Sequence, residues 1–341
     1  MAVVTADPRL LGGVRGRLAL GALADELAGT PTMLCLDGAW PADVQAGTRA
    51  QLRSLAALTV GVGAPDDLAT LCDLATDDRV ALGAWTEQFG RTPFAAVTAA
   101  ILLRSAPDDT WEALVAESSA YSLLQSGPEF QAWLAGGPPR VADVDDGPRV
   151  RIEQHGDVTD VVLSRASRHN ALDARTRDEL HARLLELAAG DGPIVVRGDG
   201  PSFCSGGDLA EFGTAAGPVE AHVLRLARSL ALLMHRLAPR LVVALHGACI
   251  GAGIELPAFG RRIVAADDLG VRLPELALGL VPGAGGTVSI PRRIGRARLL
   301  ELLLTGAVLD AETARTWGLV DEVVPRDRLV DRAHELAKDA A

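Results

Sequence analysis

The chain has 341 residues, of which 48% are hydrophobic and 23% charged, so it is long enough for one large domain or two ordinary ones and too apolar to be disordered. Its formal net charge of −11 disfavours a nucleic-acid partner, because an acidic surface repels a phosphate backbone. The start lacks a basic segment followed by an apolar one, and Arg236, Pro239 and Arg240 interrupt the most apolar stretch. We therefore expect a cytoplasmic protein without a signal peptide or a membrane span.

The first part of the chain is predicted to be mixed α/β and then helical. The predicted strands are 31–38 and 58–64, and the predicted helices are 41–58, 66–74, 93–103, 111–124 and 128–134. Pro, Gly and Asp then cluster in 136–149, where no apolar period survives, which predicts a linker. The sequence thus predicts two domains, 1–140 and 150–341.

The second part alternates strands with helices, which favours a layered α/β fold with parallel strands. Asp173 occupies an N-cap position ahead of apolar residues at helical spacing. The predicted strands are 157–164, 192–198, 240–247 and 261–267, and the predicted helices are 173–190, 219–236, 247–260, 297–304, 311–317 and 326–338.

Three Gly-rich elements follow strand-like runs in the second part, at 203–209, 246–255 and 273–286. A Gly-rich turn that opens a helix offers free N–H groups. Two such turns that converge would form an oxyanion hole, in which each donor stabilises a transition state by roughly 3–4 kcal/mol. For any one element alone, close packing of a helix on a sheet is the simpler explanation.

Two carboxylates lie within or beside these elements. Glu255 is surrounded by small apolar residues, and Glu275 follows Pro274 among apolar neighbours. A carboxylate in an apolar pocket has a raised pKa and can carry a proton near neutral pH. Taken singly, each Glu is more simply a structural or surface residue, and the neighbouring Gly-rich elements are what favour acid/base chemistry.

Other site types find little support in the sequence. It contains no phosphate-binding loop, no GxSxG nucleophile motif and no HExxH motif. The seven histidines are scattered, and apart from His169 we interpret them as surface or packing residues. The four cysteines form no CxxC pair and have no histidine at metal-ligand spacing, so we expect reduced thiols and no metal.

Five segments, in order, resemble the motifs of the crotonase (enoyl-CoA hydratase/isomerase) superfamily. They are SRASRHNALD (164–173), SFCSGGDL (202–209), HGACIGAGIEL (246–256), LPELALGLVPGAGGT (273–287) and ARTWGLVDEVV (314–324). The resemblance implies a spiral of βαβ units over 150–341, here preceded by a mixed α/β to helical domain. It also implies a thioester enolate that two backbone N–H groups stabilise.

The resemblance places the two oxyanion donors at the amides of Ser205 and Ala252. It implies that Glu255 activates the water that attacks Cβ and that Glu275 protonates Cα, general acid/base work typically worth ~10²–10⁴ in rate. Gly283 would bring an amide close to that water. The implied CoA contacts are Ser167, Arg168, His169, Ala171, Gly206, Gly207, Asp208 and Leu209.

The two glutamates favour an enoyl-CoA hydratase that takes an acyl-CoA as substrate and needs no cofactor. Three alternatives stay open: a double-bond isomerase that uses mainly Glu275, a cofactor-free dioxygenase, and a non-catalytic acyl-CoA-binding subunit. The resemblance also implies a homo-oligomer, a trimer or hexamer. The sequence does not identify the acyl group.

Members of the family usually continue beyond DEVVP with more helices than this chain has. The segment 92–134 faintly resembles those helices. We therefore interpret 1–140 as a degenerate crotonase-like copy that supplies them, with an unrelated helical extension as the alternative.

Overall fold

The computed structural model describes residues 1–12, 16–137 and 147–339, and it begins with a small parallel sheet. Its four strands are hydrogen-bonded in the order β1-β2-β3-β4, and every neighbouring pair is parallel. The strands are β1 (Ala2–Ala6), β2 (Thr32–Asp37), β3 (Leu58–Val62) and β4 (Leu74–Thr76). Almost all of β2 and β3 is buried, as expected for apolar central strands of a parallel sheet.

Seven α-helices lie in the described part of this N-terminal region. They are α1 (Gly16–Leu27), α2 (Ala46–Arg53), α3 (Asp66–Ala69), α4 (Arg79–Arg91), α5 (Pro93–Arg104), α6 (Thr110–Gln125) and α7 (Pro128–Ala135). Pro93 occupies the first position of α5, and the Asp109 side chain caps α6 by accepting from the Glu112 amide. The predicted helix 41–58 is shorter than expected, because α2 starts only at Ala46 and ends at Arg53.

The second region contains a six-stranded sheet and a three-stranded sheet. Its strands are β5 (Val150–His155), β6 (Val158–Leu163), β7 (Ile194–Gly198), β8 (Leu241–Leu245), β9 (Ala248–Ile250), β10 (Arg262–Ala266), β11 (Gly270–Arg272), β12 (Leu309–Asp310) and β13 (Glu322–Val324). The larger sheet has the order β13-β10-β8-β7-β6-β5 and is parallel except for the edge pair β5–β6. The smaller sheet has the order β12-β11-β9.

Within residues 147–339, eight α-helices connect and cover these sheets. They are α8 (Ala174–Leu187), α9 (Pro218–Ala227), α10 (Leu230–Leu237), α11 (Ala252–Glu255), α12 (Gly286–Ile294), α13 (Arg296–Thr305), α14 (Ala311–Trp317) and α15 (Leu329–Lys338). Asp173 caps α8 as predicted, because its side chain accepts a hydrogen bond from the Thr176 amide. None of the helices in the described residues is long and apolar enough to cross a membrane.

Two predicted helices of the second region are wrong in detail. The helix expected over 219–236 is divided into α9 and α10, because Ser229 starts a new helix by accepting from the Leu232 amide. The helix expected over 247–260 is a strand followed by a single turn. Gly251 has φ +51° and ends that strand, so the chain turns sharply into α11.

The N-terminal helices pack directly on the second region. Residues of both regions share one continuous hydrophobic core. Polar contacts cross the boundary as well: Arg292 donates to the hydroxyl of Thr110 at 2.9 Å, and Arg296 donates to the carbonyl of Thr70 at 2.9 Å. The four cysteines are all buried, and none of them forms a disulfide in the described residues.

Candidate active site

A cavity of about 750 Å³ lies where the two regions meet. The second region lines it with the loop 205–215, the turn between β9 and α11, and the segment 274–285. The N-terminal region contributes one wall through α6, from which Leu114, Glu117, Ser118, Tyr121 and Gln125 line the cavity. This helix lies within 92–134, the segment that the sequence analysis interprets as a replacement for the C-terminal helices of other family members.

Glu255 and Glu275 both line this cavity, and both are buried, with exposed fractions of 3% and 8%. Their carboxylates converge on Gly251. A Cβ atom at Gly251 would lie 2.7 Å from Oε1 of Glu275 and 3.8 Å from Oε1 of Glu255. The positive φ and the nearby carboxylate therefore both favour glycine at this position.

The Glu255 carboxylate is held by backbone amides. Its Oε2 accepts hydrogen bonds from the amides of Ala284 at 2.7 Å and Gly286 at 3.0 Å. Burial raises the pKa of Glu255 well above its usual range, the charges of Glu275 and Glu117 raise it further, and the two amides oppose the shift. The amides therefore give Glu255 a means of carrying a negative charge inside an apolar site.

Glu275 has a different environment. Its Oε2 is buried and has no hydrogen-bond partner among the described residues. Burial raises the pKa of Glu275 to about 8, and the charge of Glu117 adds to the shift. A carboxyl group in this setting is mainly protonated near neutral pH, and it can donate that proton.

Glu117 of α6 is a third buried carboxylate, which the sequence analysis missed. Its side chain accepts from the amide of Gly285 at 2.7 Å and from the amide and hydroxyl of Thr287 at 2.9 and 2.7 Å. Four consecutive amides thus alternate between Glu255 and Glu117. Burial raises the pKa of Glu117 to about 7, against the effect of these hydrogen bonds. A charged residue among the apolar and small residues of α6 was the available signal.

The structure corrects one predicted oxyanion donor. The amide of Ser205 donates to the carbonyl of His169 at 2.9 Å and is therefore not free for a ligand. The amides of Gly207 and Ala252 both line the cavity, and neither donates a hydrogen bond to the described residues. Their loops are adjacent, since a Cβ atom at Gly206 would lie 3.7 Å from the nitrogen of Ala252.

The predicted oxyanion-donor and substrate-binding residues divide into two groups. Ser205, Gly206, Gly207, Leu209 and Gly283 line the cavity together with Ala252 and the two glutamates. Five predicted contacts lie outside its lining, namely Ser167, Arg168, His169, Ala171 and Asp208.

Two of those outer residues already have structural partners. Asp208 is buried, pairs with Arg165 at 2.9 Å and caps the turn that follows it. His169 bonds the hydroxyl of Ser202 at 2.9 Å through Nδ1. The Asp208 side chain therefore maintains the loop and does not face the cavity.

Gly283 is covered by Tyr121 from α6. A Cβ atom at Gly283 would lie 2.5 Å from the Tyr121 ring, so a larger residue would displace the helix or the ring. Because Gly283 immediately precedes the amides that hold Glu255 and Glu117, the ring also fixes where that loop begins. The N-terminal helix therefore shapes the site through apolar packing as well as through Glu117.

A second group of ionisable side chains lies on β5, β6 and α15, outside this cavity. His155, Asp160 and His334 have potential metal-ligand atoms within 4.8 Å of one another. The sequence analysis did not predict this cluster, because its three residues are far apart in the chain. Arg197 donates to the Asp160 carboxylate at 2.7 Å and His334 bonds it at 2.8 Å, so the group is held together by its own hydrogen bonds.

Comparisons with known proteins agree with this architecture. A family model described as enoyl-CoA hydratase/isomerase matches residues 153–341. The chain is 29% identical to an enoyl-CoA hydratase subunit I from Geobacillus kaustophilus, with a TM-score of 0.52 over 57% of this chain and 76% of that one. An enoyl-CoA hydratase from Bacillus anthracis gives 29% identity and a TM-score of 0.51 over 56% and 76%.

A third similar structure, from Thermobifida fusca, is described as an enoyl-CoA hydratase in complex with CoA. It is 28% identical, with a TM-score of 0.51 over 56% of this chain and 78% of that one. The family match covers more than half of the chain. The chain therefore belongs to the enoyl-CoA hydratase/isomerase (crotonase) family, with an additional N-terminal α/β region built on a parallel four-stranded sheet.

Proposed function

We propose that this protein is an enoyl-CoA hydratase, which adds water across the double bond of a 2-enoyl-CoA. The observation that carries the proposal is the pair Glu255 and Glu275, buried in one cavity and converging on Gly251. Hydration needs one group to take a proton from water and another to give a proton to carbon. Two carboxylates with different hydrogen bonding suit those two tasks.

In the proposed mechanism the thioester oxygen accepts hydrogen bonds from the amides of Gly207 and Ala252. Gly207 takes the role expected for Ser205, because the Ser205 amide is already bonded. Each donor stabilises the enolate by roughly 3–4 kcal/mol if it is aimed at the developing charge.

Glu255 and Glu275 then divide the proton transfers. Glu255, which two amides hold in place, orients the water and takes its proton as the oxygen attacks Cβ. Glu275, with an unpartnered Oε2, donates its proton to Cα. Gly283 brings the start of the amide loop close to the water. One proton passes from water to Glu255 and one from Glu275 to substrate, so transfer between the carboxylates restores the enzyme.

The CoA portion is proposed to leave the cavity past Gly206 and Leu209 and to reach the segment that contains Ser167, Arg168 and Ala171. His169 is exposed and lies beside the loop 205–209, because its carbonyl accepts a hydrogen bond from the Ser205 amide. The complex of the Thermobifida fusca relative with CoA supports a CoA thioester as the ligand. The homo-oligomer that the family resemblance implies remains a prediction.

We also propose that 1–140 is a degenerate crotonase-like copy whose helices cover the site of 150–341. Support comes from the four-stranded parallel sheet and from the packing of α5, α6 and α7 against the second region. In this proposal α6 supplies in cis the cover that additional C-terminal helices supply in other members. The part of the linker between 138 and 146 lies outside the described residues.

The test is hydration of crotonyl-CoA by Glu255→Gln and Glu275→Gln. Both variants should lose about tenfold or more of the rate, because a neutral amide neither takes nor gives the proton. Binding of CoA should survive in both. Glu312→Gln, an exposed residue of α14, is the matched control. Full hydration activity in both variants would contradict the assignment. If only Glu275→Gln loses activity, and the wild type isomerises a 3-enoyl-CoA, the protein is instead an isomerase.

A further inference from the structure

Arg225 of α9 lines the cavity at the wall that α6 forms. Its guanidinium lies 4.5 Å from the centre of the Tyr121 ring, and this ring in turn covers Gly283. One nitrogen, Nη1, donates to the hydroxyls of Ser118 at 2.7 Å and Ser122 at 3.2 Å. Arg225 therefore lies one aromatic ring away from the loop that holds Glu255, at the acyl end of the proposed site.

The hydrogen-bond partners of this guanidinium are neutral. Among the described residues no carboxylate pairs with Arg225, and its Nε and Nη2 donate no hydrogen bond to them. Burial lowers the pKa of Arg225, which reflects the poor solvation of its charge. The negative charge of Glu117 partly opposes this shift, although no carboxylate forms an ion pair with Arg225 among the described residues. A half-buried guanidinium without a directly paired carboxylate is stabilised when a ligand supplies an adjacent negative charge.

Three other arginines line the same cavity, and each differs from Arg225. Arg177 pairs with Glu211 at 3.0 Å, and Arg228 pairs with Asp178. Arg272 is exposed to solvent and donates to a backbone carbonyl. Within the described part of the chain, Arg225 is therefore the arginine that combines a place in the cavity and partial burial with the lack of a directly paired carboxylate.

We propose that Arg225 binds a carboxylate at the far end of the acyl group, so that the preferred substrates are CoA thioesters of dicarboxylic acids. This inference rests on the proposed function, because it assumes that the acyl group extends from the amides of Gly207 and Ala252 towards α6. A guanidinium is suited to the task because its N–H groups form a planar fork that matches two carboxylate oxygens. The Nε and Nη2 donors form one such edge.

Contact with a phosphate of CoA is the competing explanation, and the geometry disfavours it. Arg225 contacts Tyr121 and the serines of α6, whereas the proposed path of CoA runs by Leu209 towards 167–171. If Arg225 bound a CoA phosphate, its loss would weaken every CoA ester equally. A carboxylate subsite instead predicts an effect on dicarboxylic esters alone.

The experiment compares saturated esters, which bind without reacting. Affinities of glutaryl-CoA and pentanoyl-CoA, which have equal numbers of carbons, are measured by titration calorimetry, as are those of adipyl-CoA and hexanoyl-CoA. In at least one pair the wild type should bind the dicarboxylic ester about tenfold more tightly or better, the usual scale for a desolvated charged hydrogen bond. Arg225→Leu should abolish this preference and bind the neutral esters at least as well as wild type.

Two further variants control the result. Arg225→Lys keeps the charge without the fork and should retain only part of the preference. Arg315→Leu removes an exposed arginine of α14 and should leave the preference for dicarboxylic esters unchanged. If the wild type binds the two esters of each pair with equal affinity, the inference is overturned, even if Arg225→Leu does not fold. It is also overturned if Arg225→Leu weakens the binding of all four esters by the same factor.

Failure of the proposed function gives a different result. If the dicarboxylic preference is present but neither crotonyl-CoA nor glutaconyl-CoA is hydrated, the carboxylate subsite stands and the hydratase assignment falls. If crotonyl-CoA is hydrated and the ester pairs bind equally, the hydratase stands and the subsite falls. If no CoA ester binds, both are overturned.

Discussion

Replacing Glu117 by alanine tests whether the N-terminal region is part of the site. The substitution leaves the amides of Gly285 and Thr287 and the Thr287 hydroxyl without their acceptor in a buried place. A buried donor that loses its partner costs about 1–3 kcal/mol, so two amides predict a loss of about 2–6 kcal/mol in the free energy of unfolding. Entry of water into the vacated space would reduce this loss.

The same substitution should also slow the reaction. The amides of Ala284 and Gly286, which hold Glu255, alternate along the chain with those that Glu117 holds. A loop released from Glu117 therefore misplaces the Glu255 carboxylate, and small misplacements reduce rates strongly. We expect about a tenfold or larger fall in kcat for crotonyl-CoA, with a smaller change in KM.

Urea unfolding and initial rates measure the two effects. Glu117→Gln keeps one acceptor oxygen and should lie between wild type and Glu117→Ala in both measurements. Glu112→Gln, at the exposed start of the same helix, is the matched control and should change neither. If Glu117→Ala unfolds within about 0.5 kcal/mol of wild type and keeps its kcat, the reasoning is refuted.

Three other outcomes follow from the same geometry. Because the pKa of Glu275 is raised to about 8, the hydration rate should fall as pH rises through that value and its proton is lost, and a pH–rate profile that stays flat to high pH would contradict its role as the acid. The raised pKa values of Glu275 and Glu117 also mean that the stability they contribute is complete below the unfolded value of 4.5 and declines as pH rises towards 8. Urea unfolding across this range should show a shallower decline in Glu275→Gln than in wild type, and parallel declines would argue against that shift. Gly251→Ala should destabilise the protein by about 1–3 kcal/mol more than Gly29→Ala in thermal or urea unfolding. Both glycines have positive φ, but only a Cβ atom at Gly251 would contact a carboxylate. Equal destabilisation by the two substitutions would contradict a steric clash between that Cβ atom and the carboxylate.

Much of the second region could be predicted from local sequence. The β7 and β8 strands are short apolar runs with clear ends, and α8 begins at the capping residue Asp173. The motif order identified the family, which the family match confirms. The family resemblance pairs Glu255 with Glu275 in one site, and both residues line one cavity.

Local sequence did not predict the elements whose pattern is weak or interrupted. The elements that it does not predict are β1, β4, β5, β9, β11, β12, β13, α1, α4 and α12. The helix α12 contains Pro291 and opens with Gly286, both of which normally argue against a helix. The motif position predicts Ser205 as an oxyanion donor. The direction of its N–H group, however, depends on the neighbouring chain at His169, whose carbonyl accepts its hydrogen bond.

The sequence by itself determined the family and the alternation of strands with helices in the second region, and it singled out Glu255 and Glu275 as candidates, because these inferences depend on residue types at short, fixed spacings. The tertiary structure alone decided which amides are free, which is why Gly207 replaces Ser205 in the proposed oxyanion hole. It also brought Glu117 and Tyr121 of α6 against the loop 283–287, more than a hundred residues away in the chain. Such contacts depend on the packing of whole helices, so they cannot be predicted from residues at short spacings in the sequence.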